Sequence, residues 1–301
     1  MIVLGVCSIR YLPDIQGEIP PIPLDINNVC VEGLEVRLCS LSPNNRLECS
    51  IAYVSVCVDL SRELRGVHIS RSVESVLDGI NNITYSSLLD LQNSLRVTAE
   101  QLLNKHEYSS KATVRLRMKY LHVVDVESTS VTMYVTVKLF RDGRVRYGLG
   151  LDIKGMSVCP CAQQVYAFIE DMIVSNTPSH SQRALLAVRV NSPEPIDLSL
   201  DEVMKTLLSI FSTPVRCFMK KIEEYKFIKK AFENPKFAED IAREAVYKMY
   251  KVFRERLSDD ATITAKVMSY ESIHPFNLYV RINHSVRELD RLFSKFTGSV
   301  Q

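Results

Sequence analysis

Apolar and polar positions alternate most sharply in LECSIAYVSVCVDL (47–60), which is rich in β-branched residues. A period of two puts one set of side chains on one face, so the run predicts a half-buried strand. KATVRLRMKYLHVV (111–124) and TSVTMYVTVKLF (129–140) predict two more, and Asp142-Gly143 in the following RDGR is a tight-turn signal. Between the first and second of these strands the apolar spacing changes to that of a helix. RSVESVLDGI (71–80) and SSLLDLQNSLRVTAEQLLNKH (86–106) predict two helices, the second with Leu88, Leu91, Leu95 and Leu102 on one face and Ser86 or Ser87 as its cap. The first ~25 residues carry Pro13, Pro20, Pro21 and Pro23 and predict an extended arm.

The second half repeats the order. RVRYGLGLDIKGMSV (144–158) predicts a strand, an inserted segment follows, and ALLAVRVN (184–191) predicts another. Two helices are expected near 199–211 and 236–257, the second with Phe237, Ile241, Ala245 and Tyr250 able to share a face. TITAKVMSY and NLYVRIN predict the last strands, and VRELDRLFSKF a terminal helix. Strand–strand–helix–helix–strand–strand, twice, is an α+β pattern: antiparallel sheet with helices on one face. It divides the chain into a unit over 1–142, with the arm, and a unit over 143–301, with no visible sequence repeat between them.

Composition narrows the class. Among 301 residues, 46% are hydrophobic and 24% charged, enough for a large core, and the net charge of +2 gives no field for nucleic acid. No apolar run approaches the ~20 residues of a membrane helix. The start MIVLGVCSIR has no basic region and makes a poor signal peptide, so the expectation is a cytoplasmic chain. Its eight cysteines are then expected as reduced thiols, with a disulfide compatible with a hyperthermophilic source.

Candidate chemistry centres on Cys159-Pro160-Cys161, after a strand and at the expected start of a helix. A helix N-terminus favours the thiolate, the form that binds metal or attacks carbon; the alternative is two buried small residues. His180 in SHSQR could complete a thiolate–imidazole set for zinc or ferrous iron, or be an ordinary loop histidine. Arg183 beside it could bind an anion. KKIEEY (220–225) and Glu239-Asp240 suit a solvated face, and a buried carboxylate there could instead accept two parallel hydrogen bonds from an amide–amine edge such as guanine's. His274 in ESIHPF is a candidate acid or base. Arg65, His68 and Arg71 in RGVHISR form either a solvated loop or a phosphate site.

LPDIQ, RGVHISR, CPCA, HSQR, ENPKFAED and ESIHPF, in that order from about Leu12 to Tyr279, resemble the GTP cyclohydrolase IB family. The long gap between CPCA and HSQR is similar to its archaeal branch. The resemblance implies a tandem tunnelling fold of two ββααββ units, assembled as a homotetramer with active sites at subunit interfaces. It implies one divalent metal per site, Fe(II) favoured over Zn(II) or Mn(II), on Cys159, His180 and Glu224. It implies Glu239 as the guanine anchor and Cys161 and His274 as catalytic groups. Arg65, His68, Arg71 and Arg183 are assigned to the substrate's phosphates from their charge. The implied reaction opens the guanine ring of GTP with formate release, at the start of pterin synthesis of the methanopterin or folate type. The alternative is a non-catalytic or redox protein of the same fold that binds a purine or pterin. Two departures stand out: Phe276 replaces the family's usual second His, and the degraded Lys220–Glu224 run leaves Glu223 as a rival third ligand.

Overall fold

In the computed structural model, described for residues 13–41, 47–124 and 127–297, strand β1 (Ile26–Leu41) pairs antiparallel with β2 (Leu47–Leu60). The start at 1–12, with the signal-peptide reading and Leu12, lies outside the described residues. α1 (Ile69–Gly79), a three-residue β3 (Ile83–Tyr85) and α2 (Leu88–Lys105) follow, then β4 (Lys111–Val124) and β5 (Glu127–Phe140). A turn through Gly143, at φ +88°, leads into the second half. There β6 (Val145–Val158), α3 (Pro160–Glu170), β7 (Ser181–Ser192), α4 (Leu200–Leu208), a two-residue β8 (Thr213–Pro214) and α5 (Lys221–Phe232) run in order. α6 (Ala238–Phe253), β9 (Thr262–Ser269), β10 (Leu278–Ser285) and α7 (Val286–Thr297) complete it.

All the strands form one sheet in the order β10-β9-β7-β6-β5-β4-β2-β1-β3, with β8 also paired to β6. Every neighbouring pair is antiparallel except the short β1–β3 contact. The expected boundary at 142/143 falls in the β5–β6 turn, and the sheet runs through it without a break. The first half follows the ββααββ order that the resemblance implies, and the second follows it with α3 inserted between β6 and β7 and α5 added between α4 and α6.

The period of two decides which face is covered. Ala112, Val114 and Leu116 of β4 are fully buried, whereas Arg115 and Arg117, on the other face, are exposed. Leu91, Leu95 and Leu102 of α2 close the buried face over β4 and β5, and Ile241, Ala245 and Met249 of α6 do the same over β9 and β10. Ser87 caps α2 by accepting from the Asp90 amide at 3.1 Å. Among the described residues the opposite face carries no helix, and it keeps the charged set.

Two expectations change. β1 was not among the predicted strands, because a bulge around Gly33 (φ +76°) shifts its register between Val31 and Leu34. The apolar phase therefore jumps from Val29 and Val31 to Leu34, Val36 and Leu38, and no single alternation spans the strand. The cysteines are not all reduced: Cys30–Cys57 and Cys39–Cys49 are disulfides between register partners of β1 and β2. Cross-strand neighbours are close enough for bridging, which a reading by compartment could not register.

His106, after α2, is fully buried between Ser72 Oγ (3.0 Å) and Tyr108 OH (2.9 Å). Burial, with the Arg71 guanidinium next in weight, holds its pKa down to about 4 from 6.5. The unfolded chain binds this proton below pH ~6.5 and the folded chain only below ~4, so the stabilisation is complete above 6.5 and is lost as pH falls through that window. Denaturant titrations should show on the order of 1–3 kcal/mol lost there. His106→Asn should flatten that part of the profile, and an unchanged slope would rule the group out.

Candidate active-site cleft

The C-terminal end of β6 is held from two sides. The Val158 amide donates to Ser212 Oγ at 3.1 Å, and its carbonyl accepts from the Lys236 amide at 2.9 Å. Ser157 Oγ adds a bond to the Lys236 carbonyl at 2.9 Å. A Cβ on Gly155 would stand 2.0 Å from the Phe211 ring, so only glycine lets this segment lie on the strand. The same contacts fix the residues at each end: Cys159, where β6 stops, and Phe237–Glu239, where α6 starts.

Cys159 is the N-cap of α3, with Pro160 at the first helical position, as the Cys-Pro-Cys spacing predicts. Its amide donates to the His180 carbonyl at 3.1 Å and its carbonyl accepts from Ser179 Oγ at 2.7 Å. These bonds close the α3 insertion into a loop and set Cys159 beside His180. The His180 Nδ1–H donates to Gln182 Oε1 at 3.0 Å, which leaves Nε2 with a free lone pair.

A cleft of about 310 Å³ opens here, lined by Cys159, His180, Gln182, Glu239, Glu271 and His274, with Lys236, Phe237 and Phe276 among the residues at its walls. The His180 and His274 rings meet edge to face, centroids 6.5 Å apart. Phe276 lies parallel to His274 at 5.1 Å and 5°. The residue in the place of the family's second His is therefore a platform for the first, and it carries no proton. Glu239, in the first turn of α6, has its Oε2 buried with no hydrogen-bond partner among the described residues. Glu271 accepts from Ser269 Oγ at 2.7 Å. Lys236 is the cation of the lining and is ion-paired to Glu244.

Of the residues singled out by sequence, Cys159, His180, Glu239 and His274 come together from four separate segments. The others do not line the cleft. Cys161 is exposed, one residue into α3 past Pro160. Arg183 is exposed on β7, where its carbonyl accepts from the Tyr270 amide at 2.9 Å. Glu223 and Glu224 are exposed in the first turn of α5, and the Glu223 carboxylate accepts from the Lys220 amide at 2.8 Å. Among the described residues, no three His, Cys, Asp or Glu side chains are grouped closely enough to hold a metal ion.

RGVHISR instead receives the amino-terminal arm. Arg65 pairs with Glu18 at 2.9 Å, His68 Nε2 with Asp14 at 3.1 Å, and the Arg65 amide donates to the Gln16 carbonyl at 3.0 Å. The Gly17 amide, and secondarily His68, hold the Asp14 carboxyl below its ordinary range. Arg71 donates to the Lys105 carbonyl at the end of α2 (3.1 Å). Asp14, Gln16 and Glu18 of the arm and RGVHISR thus meet in space, and none of them lines the cleft. Glu271, Gln182 and Lys236 are cleft residues not singled out from the sequence, although they lie inside ESIHPF, HSQR and ENPKFAED.

Residues 12–280 match the family model described as Type I GTP cyclohydrolase folE2. GTP cyclohydrolase MptA of Aeropyrum pernix is 34% identical over 289 residues, covering 94% of this chain and 99% of that one. The same-named protein of Methanosphaera stadtmanae is 28% identical, covering 90% and 95%. Among solved structures, a uricase from Bacillus fastidious aligns with a TM-score of 0.48 at 9% identity, over 88% of this chain and 95% of that one. With a family match across most of its length, this chain belongs to the Type I GTP cyclohydrolase folE2 family.

Proposed function

We propose that this cleft opens the imidazole ring of GTP with release of formate, the entry step of pterin biosynthesis. The observation that carries this reading is the Glu239 carboxylate, with a buried, unpartnered oxygen facing a cleft that also holds Cys159, His180 and His274. A buried acceptor without a partner costs stability unless a ligand supplies the donor. Guanine presents two parallel donors, N1–H and the N2 amine, and a carboxylate offers two acceptors to match them.

Cys159 and His180 are two of the donors that a divalent transition metal takes, and the remaining ligands would come from outside this pair. Cys159 supplies a soft sulfur and His180 an imidazole whose tautomer Gln182 fixes. A metal bound there would supply Lewis-acid polarisation and a water of lowered pKa. Glu224 as third ligand, Fe(II) over Zn(II) or Mn(II), and the catalytic role of Cys161 rest on the family resemblance alone. Glu239 orients the base so that C8 meets this pair. His274, held flat by Phe276, donates and accepts the protons that ring opening and formate loss require, since imidazole is the side chain best suited to that exchange near neutral pH.

The reading includes a homotetramer in the cytoplasm with sites completed at subunit interfaces. In its support, Phe168, Ile169 and Ile173 of the α3 insertion are 89%, 70% and 71% exposed beside the cleft. Among the described residues no helix is long and apolar enough to cross a membrane. The phosphate roles of Arg65, His68, Arg71 and Arg183 would then fall to a neighbouring subunit's cleft.

Cys159→Ala and His180→Ala should each lose bound metal and GTP turnover while keeping the fold, measured by metal content and circular dichroism. Full occupancy in both would remove the ligand pair. Glu239→Gln should retain metal and weaken GTP binding by about 1–3 kcal/mol, because an amide sets a donor against a donor. Unchanged affinity by calorimetry would remove the anchor and this reading with it. His274→Asn should lower turnover per metal-loaded site by ~10²–10⁴ with GTP affinity little altered. A near-normal rate would shift proton transfer elsewhere.

A further inference from the structure

The helix-free face of the sheet holds a second concavity, about 260 Å³, where β4, β5 and β6 meet at the end remote from the cleft. Four cationic side chains line it: Lys111 and Arg115 from β4, Lys138 from β5 and Arg146 from β6. Their arrangement follows from register. Lys138 is directly opposite Arg146 across the β5–β6 pair. On its other side Lys138 faces Thr113, with Lys111 and Arg115 as the two diagonal neighbours. Like charges placed directly across a ladder repel, so this sheet keeps a destabilising set at one spot.

Among the described residues no carboxylate lines the pocket, and Lys111, Arg115, Lys138 and Arg146 form no ion pairs. The carboxylate near its edge, Asp59, is engaged by the Ser110 amide and hydroxyl and by the Lys111 amide at 2.9, 2.5 and 3.0 Å. Burial, then the charges of Lys111 and Arg115, press the Lys138 ammonium below its ordinary range, with Asp59 acting in the other direction. Neutral donors complete the lining: the hydroxyls of Thr113 and Thr136 and the Asn191 amide. Gly148 leaves the floor open, since a Cβ there would sit 3.2 Å from Asn191 Oδ1 and 3.3 Å from the Thr136 Cβ.

We propose that this pocket is a binding site for a phosphate-class polyanion, distinct from the catalytic cleft. Four cations on one patch, with Asp59 at its edge and no carboxylate in its lining, favour an anion of more than one charge, and hydroxyl and amide donors match phosphoryl oxygens. Twelve residues of β6 separate Arg146 from Val158, roughly 40 Å at ~3.3 Å per residue, so one nucleotide cannot span both sites of a chain. The site is independent of the reaction assigned to the cleft.

The test is calorimetric titration of the metal-free full chain with inorganic triphosphate, and with monophosphate for comparison, at two salt concentrations. Saturable binding, tighter for triphosphate and weakened by salt, is expected. Lys138→Gln combined with Arg146→Gln should weaken it at least tenfold, while Lys138→Arg and the cleft variant Glu239→Gln should bind as the parent does. Relief of repulsion should also let the double variant melt no lower than the parent in anion-free buffer, and triphosphate should no longer raise its melting temperature. Absence of saturable binding by the parent would overturn the proposal. So would equal affinity in the double variant, loss of binding in Glu239→Gln alone, or dissociation of an oligomer in the double variant without change in anion affinity.

Discussion

Everything at the cleft depends on how the last residues of β6 are held. A strand that ended freely at Val158 would leave Cys159 on a mobile segment. Here both backbone groups of Val158 are bonded outside the ladder, to Ser212 and to the Lys236 amide. Gly155 admits the Phe211 ring where any other residue would exclude it. The segment that braces the strand therefore also delivers α6, and Cys159 and Glu239 are positioned by one set of contacts. Sites carried on such rigid supports hold their geometry better than sites on loops alone.

The cleft shows the usual tension between stability and function. Gln182 satisfies one side of His180, Ser269 satisfies Glu271, and Glu244 satisfies Lys236. Glu239 Oε2 is left without a donor. An unsatisfied buried oxygen amid satisfied neighbours marks where the fold has kept a bond in reserve for something it does not itself contain.

Much of this was legible in the sequence where local pattern and tertiary outcome agree. β4 runs over the predicted 111–124, and Leu91, Leu95 and Leu102 of α2 are buried as their spacing requires. β1 was illegible because a bulge at Gly33 resets the alternation halfway along. The KKIEEY run (220–225) reads as a solvated face, and Glu223 and Glu224 are exposed there; Ile222, Tyr225 and Ile228 of α5 recur at helical spacing yet stay exposed, and Ala231 is the helix's one buried residue, so the stripe marks no core-facing side. At the site, motif histidines and cysteines were visible as residue types. Which of them converge depends on pairings between segments far apart in sequence, and so Cys159 and His274 line one cleft while Cys161 and Glu224 stay outside it. The disulfides were hidden for the same reason, since a cross-strand register is not written in cysteine spacing.

The β5–β6 pair is where the two halves become one sheet, aligned from Thr132–Asp152 to Leu139–Val145. Cut there, each half would present a long bare edge of unsatisfied amides and carbonyls with an apolar face behind it, a template for pairing with any other chain. Pairing β5 with β6 across the Asp142-Gly143 turn seals one border of each half within the chain, so the joined sheet keeps two borders, at β10 and β3, where two separate halves would expose four.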